Sequence, residues 1–140
     1  MKKLALILSF LSLILLSAIS NAEEMPLSDS LYEEIKKDVI HPFFKSLKDG
    51  DINAIKLHLS SAIYNEYKRL LEENKDYPQF LRDYYQDAKF RTERAKEIDG
   101  DVVVDVVIEF PNGSRIQNIL RLSEEKGKFK VKPKSYMEDK

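Results

Sequence analysis

The chain has 140 residues, of which 43% are hydrophobic and 10% aromatic, and it contains no cysteine. A chain of this length forms one domain with a substantial core, and the lack of cysteine excludes disulfides, thiolate metal sites, a thiol nucleophile and a lipid anchor on cysteine. The 23 basic and 24 acidic side chains give a formal net charge of −1, whereas nucleic-acid-binding proteins usually carry a basic excess.

The first 22 residues have the three parts of a secretory signal peptide. Lys2 and Lys3 form a basic start, an apolar run follows from residue 4 to residue 19, and Ser20 and Ala22 mark a cleavage site. An uncleaved anchor is the alternative, but the run is shorter than the about 20 residues of a membrane span. We therefore predict cleavage after Ala22, a periplasmic or secreted protein, and no stable membrane anchor after cleavage.

A helix with a break is predicted to begin near residue 30. Ser30 and Glu33 have the spacing of a capping box, in which each side chain satisfies a backbone N–H of the other residue. Apolar residues then recur every four positions, at Leu31, Ile35 and Val39. Pro42 lacks an N–H and is predicted to kink this helix, and Gly50 suits the left-handed position after its end.

Three shorter helices are predicted between residues 51 and 88. Their expected start residues are Asp51 for the first, Ser60 or Ser61 for the second, and Asp76 with Pro78 for the third. Asn74 is the expected end of the second. From Lys89 onward the apolar period changes to two residues, which indicates strands. Helices therefore precede strands, an order typical of α+β domains.

The loop at Pro111, Asn112 and Gly113 decides which side chains of the two central strands face one another. The apolar set of the earlier strand is Val102, Val104, Val106, Ile108 and Phe110. A two-residue loop sets these opposite two arginines and a glutamine. A three-residue loop instead sets them opposite residues that include Ile116, Leu120 and Leu122. Because a slip of one residue moves every side chain to the other face, the core favours the three-residue loop.

Two further turns complete an antiparallel meander of four strands. Asp99-Gly100 is a two-residue hairpin signal that places Arg94 opposite Asp105, and Lys126-Gly127 leads into the last strand. We therefore expect a single α+β domain over residues 23–131, with helices packed on the sheet. A polar C-terminal tail is expected over residues 132–140.

Two short motifs and the order of the elements resemble the nuclear transport factor 2-like superfamily. Leu47-Lys48-Asp49-Gly50-Asp51 joins the first two predicted helices, and Gly127-Lys128-Phe129-Lys130-Val131 forms the last strand. Many small exported bacterial proteins of that superfamily share this order: a signal peptide, a kinked first helix, a Gly-Asp junction and a final strand of this type. The resemblance covers residues 31–131.

The resemblance implies a cone, in which a curved four-stranded antiparallel sheet wraps around the helices and forms an apolar cavity. It also implies dimerisation through the outer face of the sheet. Some members are isomerases or dehydratases and others only bind ligands or partners, so the fold alone assigns no activity. The enzymes place an acid or a histidine at the cavity, often with a tyrosine, and this chain offers no residue-by-residue match to such a motif.

Four tyrosines and an asparagine are the candidate ligand-binding residues. The tyrosines are Tyr64, Tyr67, Tyr84 and Tyr85, on the third and fourth predicted helices. A tyrosine combines an apolar body with a polar tip, which suits a cavity mouth or an interface, and ordinary packing with the hydroxyl in solvent is the alternative. Asn118 is predicted on the apolar face opposite Val106. A buried amide there either bonds a neighbouring backbone group or points at a ligand.

The two histidines are considered as acid–base groups or metal ligands. His41, beside the predicted kink, would face a cavity as an acid or base, and the alternative is a partly exposed helix residue. His58 lies between two leucines on a short helix, where a surface position fits equally well. The two residues lie on different helices without the spacing of zinc ligands. No catalytic residue, metal site or cofactor is therefore assigned.

The outer face of the sheet is the predicted dimer interface. Valines on this face are ringed by polar side chains, and a contiguous patch of this kind is typical of an interface. The predicted contact residues are Val103, Val107, Arg115, Gln117 and Ile119. Asp105 and Glu109 alternate with the valines and are interpreted as solubilising groups, with acid–base catalysis by paired carboxylates as the alternative.

The sequence favours a binding protein over an enzyme, because no convergent catalytic set appears. The first hypothesis is an exported, non-enzymatic binding module that holds a small apolar ligand or a protein partner. The second is an isomerase-like or dehydratase-like enzyme that uses a carboxylate or histidine in a pocket together with a tyrosine. The third is a structural assembly protein of the cell envelope, which has a filled core and contacts its partners through the face of the sheet.

Overall fold

A computed structural model describes residues 24–132 of the chain. The predicted signal peptide, its cleavage site and residues 133–140 lie outside the described residues. The helices are α1 (Asp29–Ile35), α2 (His41–Asp49), α3 (Ile52–Leu57), α4 (Ser61–Glu73) and α5 (Tyr77–Tyr84), with a π-helical turn (Lys36–Ile40) between α1 and α2. The strands are β1 (Glu24–Pro26), β2 (Lys89–Ile98), β3 (Asp101–Glu109), β4 (Arg115–Glu125) and β5 (Lys128–Lys132).

The start of α1 differs from the sequence prediction. Ser28, with extended backbone, is the N-cap, and its hydroxyl accepts a hydrogen bond from the Leu31 amide at 3.2 Å. The predicted cap, Ser30, already lies within the helix. The starts of α3 and α4 agree with the sequence, because Asp51 accepts from the Ala54 amide at 3.1 Å and Ser60 accepts from the Ile63 amide at 3.2 Å.

The break in the first helix is a widened turn in front of Pro42. The His41 amide donates to the Lys36 carbonyl, five residues earlier, which is the hydrogen bond of a π turn. A proline clashes with the carbonyl four residues before it in a regular helix. The inserted residue relieves this clash, so α2 continues with Pro42 in its first turn.

The junction after α2 depends on Gly50. Gly50 has φ 64°, its amide donates to the Leu47 carbonyl at 3.2 Å, and the next amide donates to the Ser46 carbonyl at 3.0 Å. These two bonds form a Schellman cap. A Cβ at this position would collide with the Pro78 carbonyl oxygen and lie 3.0 Å from the Arg82 Cγ atom. The glycine therefore allows α5 to pack directly against the end of α2.

The sheet has five antiparallel strands in the order β1-β2-β3-β4-β5, one more than the sequence predicts. The extra strand, β1, has three residues and pairs with the end of β2, from Glu24 opposite Ile98 to Pro26 opposite Lys96. A segment this short shows no period in the sequence. Lys132, assigned to the tail by the sequence, is the last residue of β5 and pairs with Arg121.

The register of the two central strands agrees with the prediction. Ile108 lies opposite Ile116, and Val104 lies opposite Leu120. The Phe110 amide donates to the Ser114 carbonyl at 2.9 Å across a three-residue loop in which Gly113 has φ 92°. The two-residue turns at Asp99-Gly100 and Lys126-Gly127 also form as predicted, each with both residues at positive φ.

A bulge in β2 was not predicted. The pairing with β3 shifts between Thr92 and Ala95, so two residues of β2 share one position of the partner strand. Arg94 lies in this bulge, and its guanidinium still reaches the Asp105 carboxylate at 3.3 Å, as the simple register predicted.

The core lies between the helices and the inner face of the sheet. Its members on the helices include Ile35, Ile40, Phe43, Phe44 and Leu81, and those on the sheet include Val102, Val104, Val106 and Leu122. The side chains of Ile40, Val104 and Leu122 have no exposed surface, so the middle of the space between helices and sheet is filled. No helix of residues 24–132 is long and apolar enough to cross a membrane.

Candidate functional site

Four adjoining aromatic rings form a continuous surface on α5 and just after the end of β3. Tyr77, Phe80 and Tyr84 recur at helical spacing, with ring centroids 6.1 Å and 5.6 Å apart and planes inclined by 14° in both pairs. The ring of Phe110 meets that of Tyr84 edge-on at 5.3 Å. We call these four rings, with the neighbouring Ile116, the aromatic surface.

Much of the aromatic surface is open to solvent. Phe80 is 53% exposed and Tyr84 44% exposed, and Ile116 is also exposed. Tyr84, Phe110 and Ile116 line a broad, shallow depression of about 620 Å³. Large apolar side chains that adjoin one another at a surface mark contact sites far more often than isolated ones do.

The aromatic surface is supported by rings that continue into the core. Tyr85 meets Tyr84 edge-on at 4.9 Å, and the Phe90 ring lies 5.5 Å from that of Tyr85. The Phe90 ring then stacks on that of Phe44 at 4.3 Å. Because each ring restricts the next, the exposed rings have little rotamer freedom left to lose when a partner binds.

Polar groups surround the depression but form no catalytic arrangement with the rings. Asp83 accepts a hydrogen bond from the Gln79 side chain at 2.7 Å, and Asn112 accepts from the Ser114 amide and hydroxyl at 2.9 Å and 2.7 Å. Asp87 also lines the depression. These groups form a polar rim with acidic side chains next to an apolar centre, which is the usual anatomy of a protein interface.

The half-buried phenols of this region stay protonated near neutral pH. Burial, and then the neighbouring Tyr84 and Tyr77, raise the pKa of Tyr85. Burial, and then Tyr67, raise the pKa of Tyr77. The rings therefore offer apolar faces and neutral hydroxyl groups rather than an ionised nucleophile or base.

The structure brings together some of the four tyrosines singled out by the sequence. Tyr84 belongs to the aromatic surface and Tyr85 supports it from below, while Tyr67 is exposed on α4. Tyr64 lies apart: its hydroxyl donates to Glu72 at 2.6 Å, and Glu72 also pairs with Lys56 at 2.8 Å. That cluster ties α3 to α4.

Asn118 lies opposite Val106 as predicted, but it is not buried. Its side-chain oxygen accepts a hydrogen bond from the Ile119 amide at 2.8 Å. The expectation of a buried amide is wrong because residues 115–119 of β4 are exposed on both faces. The helices do not cover this part of the sheet.

The outer face of the sheet is more closed than the sequence suggested. Val107 is only 1% exposed and Val103 is also buried, so the expectation of open valines is wrong. Long side chains flank each valine in the register: Arg91 and Gln117 beside Val107, and Lys96 and Arg121 beside Val103. Long side chains on adjacent strands shield a valine between them from water, and Val103 also lines a depression of about 530 Å³ together with Leu27 and Tyr32. Ile119 remains exposed on this face.

Ion pairs join several charged side chains of this face. Glu109 accepts from Arg91 at 2.9 Å and pairs with Arg115 at 3.3 Å. At the other end of the face, Asp101 accepts from Arg121 at 2.8 Å and from Lys132 at 2.9 Å. Asp105 and Glu109 are therefore partners of arginines, in agreement with the solubilising interpretation rather than with a carboxylate pair.

The histidines do not form a metal site. His41 is exposed at the start of α2, and His58 is half-buried after α3, edge-on to Phe43 with ring centroids 6.3 Å apart. Within residues 24–132, no group of three or more potential ligands is close enough to hold a metal ion.

Sequence reasoning missed three of the four rings of the aromatic surface, Tyr77, Phe80 and Phe110, and also Ile116. The spacing of Tyr77, Phe80 and Tyr84 along one helix face was a readable signal. Phe110 was assigned to the apolar face of its strand, and nothing in the sequence placed the end of that strand beside α5.

Comparison with known proteins supports the fold. No protein-family model and no curated protein matches the sequence. The chain is similar in structure to a crystal structure from Campylobacter jejuni that is described, provisionally, as an NTF2-like transpeptidase. The TM-score is 0.51 and the sequence identity 13%, over 68% of this chain and 95% of that one. The helices followed by an antiparallel meander, together with this match, show that the chain has the nuclear transport factor 2-like α+β fold.

Proposed function

We propose that the protein is an exported, non-enzymatic binding module that holds a protein partner on the aromatic surface. The observation that carries the proposal is the run of stacked rings that remains exposed on α5, with Phe80 at 53% and Tyr84 at 44%. Aromatic side chains at well-packed, rigid positions supply most of the binding free energy in many protein interfaces. The export part of the proposal rests on the sequence of residues 1–22.

The shape of the aromatic surface favours a protein over a small ligand. A small apolar ligand is usually enclosed on most of its surface, whereas the depression beside Tyr84 and Phe110 is broad and open. The rings are already fixed by their neighbours, so a partner gains apolar contact without ordering them. Asp83 and Asp87 at the rim favour a partner with basic side chains around an apolar anchor.

A homodimer through the outer face of the sheet remains a second candidate. The exposed side chain of Ile119 favours it, since Ile119 lies among the ion pairs of that face without a cover of its own. Sedimentation of the mature protein at high micromolar concentration separates the two candidates. A dimer that Ile119→Arg dissociates and Phe80→Ala leaves intact supports the outer-face contact.

Site-specific photo-crosslinking in the native cell envelope tests the partner. A photoreactive phenylalanine is placed at position 80, at position 116 on the far side of the same surface, and at Met25, which is exposed elsewhere. The proposal predicts the same crosslinked protein from positions 80 and 116 and none from position 25. Loss of that product in a Tyr84→Ala background ties it to the aromatic surface.

Two results would overturn the proposal. One is a crosslinking pattern at positions 80 and 116 that equals the background at position 25. The other is a product that consists only of a second copy of this chain, which would make the aromatic surface a self-association site.

A further inference from the structure

A second depression, on a different side of the molecule, has walls of opposite charge. It has a volume of about 510 Å³, which lies within the usual range of ligand pockets. We call it the amphipathic groove. It is lined by Leu31, Glu34, Ile35, Asp38, Val39, Leu57, His58, Gly127, Lys128, Phe129 and Lys130. Its parts come from α1 and the π turn, from the end of α3, and from the turn between β4 and β5.

The floor of the groove is apolar, with Ile35 and Val39 buried at its base and Leu31 and Phe129 partly exposed. Leu31, Ile35 and Val39 form one stripe of the first helix, and Phe129 is the aromatic residue of β5. Leu57 at the edge is 67% exposed. An exposed leucine beside an apolar depression is available to contact the side chain of a ligand.

One wall of the groove is acidic. Glu34 and Asp38 are four residues apart and therefore lie on the same side of the helix. Like charges at this spacing repel each other and destabilise a helix slightly. Among residues 24–132 neither carboxylate has a salt-bridge partner. A cationic group bound between them would remove this repulsion.

The opposite wall is basic and anchored. The ammonium group of Lys130 donates to the Leu57 carbonyl at the end of α3, where the helix dipole favours a positive charge. Lys128 lies beside it without a salt-bridge partner among the described residues. Burial, and then Lys130, lower the pKa of His58, so its imidazole is neutral at pH 7 and can donate or accept one hydrogen bond.

The basic wall is held together by backbone hydrogen bonds. The Ser60 amide donates to the Val131 carbonyl, and the Val131 amide donates to the His58 carbonyl, both at 2.7 Å. These bonds fix β5 to the end of α3. No lysine of the basic wall comes within ion-pair distance of Glu34 or Asp38, so the groove keeps separate negative and positive ends across an apolar floor.

We propose that the amphipathic groove binds a short apolar peptide with free termini. Glu34 and Asp38 take the terminal ammonium group, Lys128 and His58 take the terminal carboxylate, and the apolar floor takes the side chains. This charge pattern is complementary to a zwitterion and not to a purely anionic or cationic amphiphile. The groove is separate from the aromatic surface, so the proposal stands independently of the partner proposed above.

Isothermal titration with trileucine as the probe tests the proposal on the mature protein. Free trileucine is expected to bind, and N-acetylation or C-terminal amidation is each expected to weaken its affinity about twofold to fivefold, the range for losing exposed charge contacts. The capped peptides test the charge pattern on the unaltered protein, whatever the stability of any variant.

Variants assign each end of the peptide to a wall. The Glu34→Gln/Asp38→Asn variant is expected to lower the affinity for free trileucine as much as N-acetylation does, and to leave the affinity for the acetylated peptide unchanged. Lys128→Gln is expected to lower the affinity for free trileucine as much as C-terminal amidation does. It is expected to leave the affinity for the amidated peptide unchanged. Glu66→Gln on α4 and Phe80→Ala on the aromatic surface are matched controls that leave binding unchanged.

Three results would overturn the proposal: no binding of trileucine at millimolar concentration, equal binding of free and capped peptides, or equal losses in the groove variants and in the controls. The outcome of the crosslinking experiment at position 80 does not affect any of these readouts.

Discussion

The aromatic surface and the outer face of the sheet differ in how far their apolar side chains are exposed to solvent. On the outer face, Val107 is only 1% exposed between Arg91 and Gln117 on the adjacent strands, and Arg91 is paired with Glu109. On α5, Phe80 and Tyr84 stack on each other and stay open. The difference shows that apolar patterning alone does not identify a contact surface, because long neighbours decide whether an apolar residue meets water.

The largest loss of stability is expected from a substitution at the contact between α2 and α5, the helix that carries most of the aromatic surface. Gly50→Ala should lower the free energy of unfolding by about 3 kcal/mol, because alanine is strained in the left-handed region and its Cβ collides with the Pro78 carbonyl under α5. Gly100→Ala, in a hairpin of the sheet where a Cβ meets nothing within 4 Å, should cost only about 1 kcal/mol. Urea denaturation measures both, and equal losses would contradict the role assigned to the α2–α5 contact.

The next prediction concerns the contribution of the buried outer-face valines to the free energy of unfolding. Val107→Ala should lower the free energy of unfolding by about 2 kcal/mol, since the side chain is only 1% exposed and its removal leaves a cavity under fixed neighbours. Thermal and urea denaturation measure the loss. A change below about 0.5 kcal/mol, the usual size at exposed positions, would mean that the face opens in solution.

A smaller, pH-dependent effect is expected at the ion-pair cover. Burial raises the pKa of Asp101, but the hydrogen bonds from Arg121 and Lys132 outweigh it, so the pKa of the folded state lies below the ordinary value. The carboxylate therefore stabilises the fold above the unfolded pKa of about 3.9, and this contribution is lost as the pH falls through the folded pKa.

Asp101→Asn should accordingly cost about 1 kcal/mol at pH 7, and the difference from the natural chain should shrink below about pH 4. Urea titrations at pH 7 and pH 3 measure it. Asp76→Asn, at an exposed helix start without an ion pair among the described residues, is the control. A difference that persists unchanged at pH 3 would contradict the linkage.

The smallest effect on stability is expected at the aromatic surface, and it distinguishes this surface most clearly from the outer face of the sheet. Phe80→Ala should change the free energy of unfolding by less than about 0.5 kcal/mol beyond its helix propensity, because half of the ring is already in water. The same variant should abolish the crosslinked product at position 116. A loss of stability comparable to that of Val107→Ala would place Phe80 in the fold rather than in a contact surface.

The strand register was predictable because local and global signals agreed. A loop with Gly113 at positive φ and an apolar face that needs cover select the same pairing. The two positive-φ turns were readable for the same reason. β1 could not be predicted, because three residues are too few to show a period. The bulge near Arg94 could not be predicted either, because it has no signal in the composition of the strand.

The candidate site was predictable only in part, because exposure depends on residues distant in sequence. Asn118 has the expected register and is nevertheless exposed to solvent. The sequence of β4 alone does not indicate how far the helices cover the sheet. Val107 has the pattern of an open face and is buried by side chains from two neighbouring strands. Tyr84 was found from its residue type, whereas Tyr77 and the exposed Phe80 on the same helix were not.

The π turn in front of Pro42 keeps the apolar side of the helix directed at one core. An inserted residue rotates everything after it by roughly 100° about the helix axis. Ile35 before the turn and Ile40, Phe43 and Phe44 after it all lie in the same core cluster. Deleting one residue of the turn would rotate Phe43 and Phe44 away from the side on which Ile35 is buried, so the two halves of the helix could no longer pack on the sheet together.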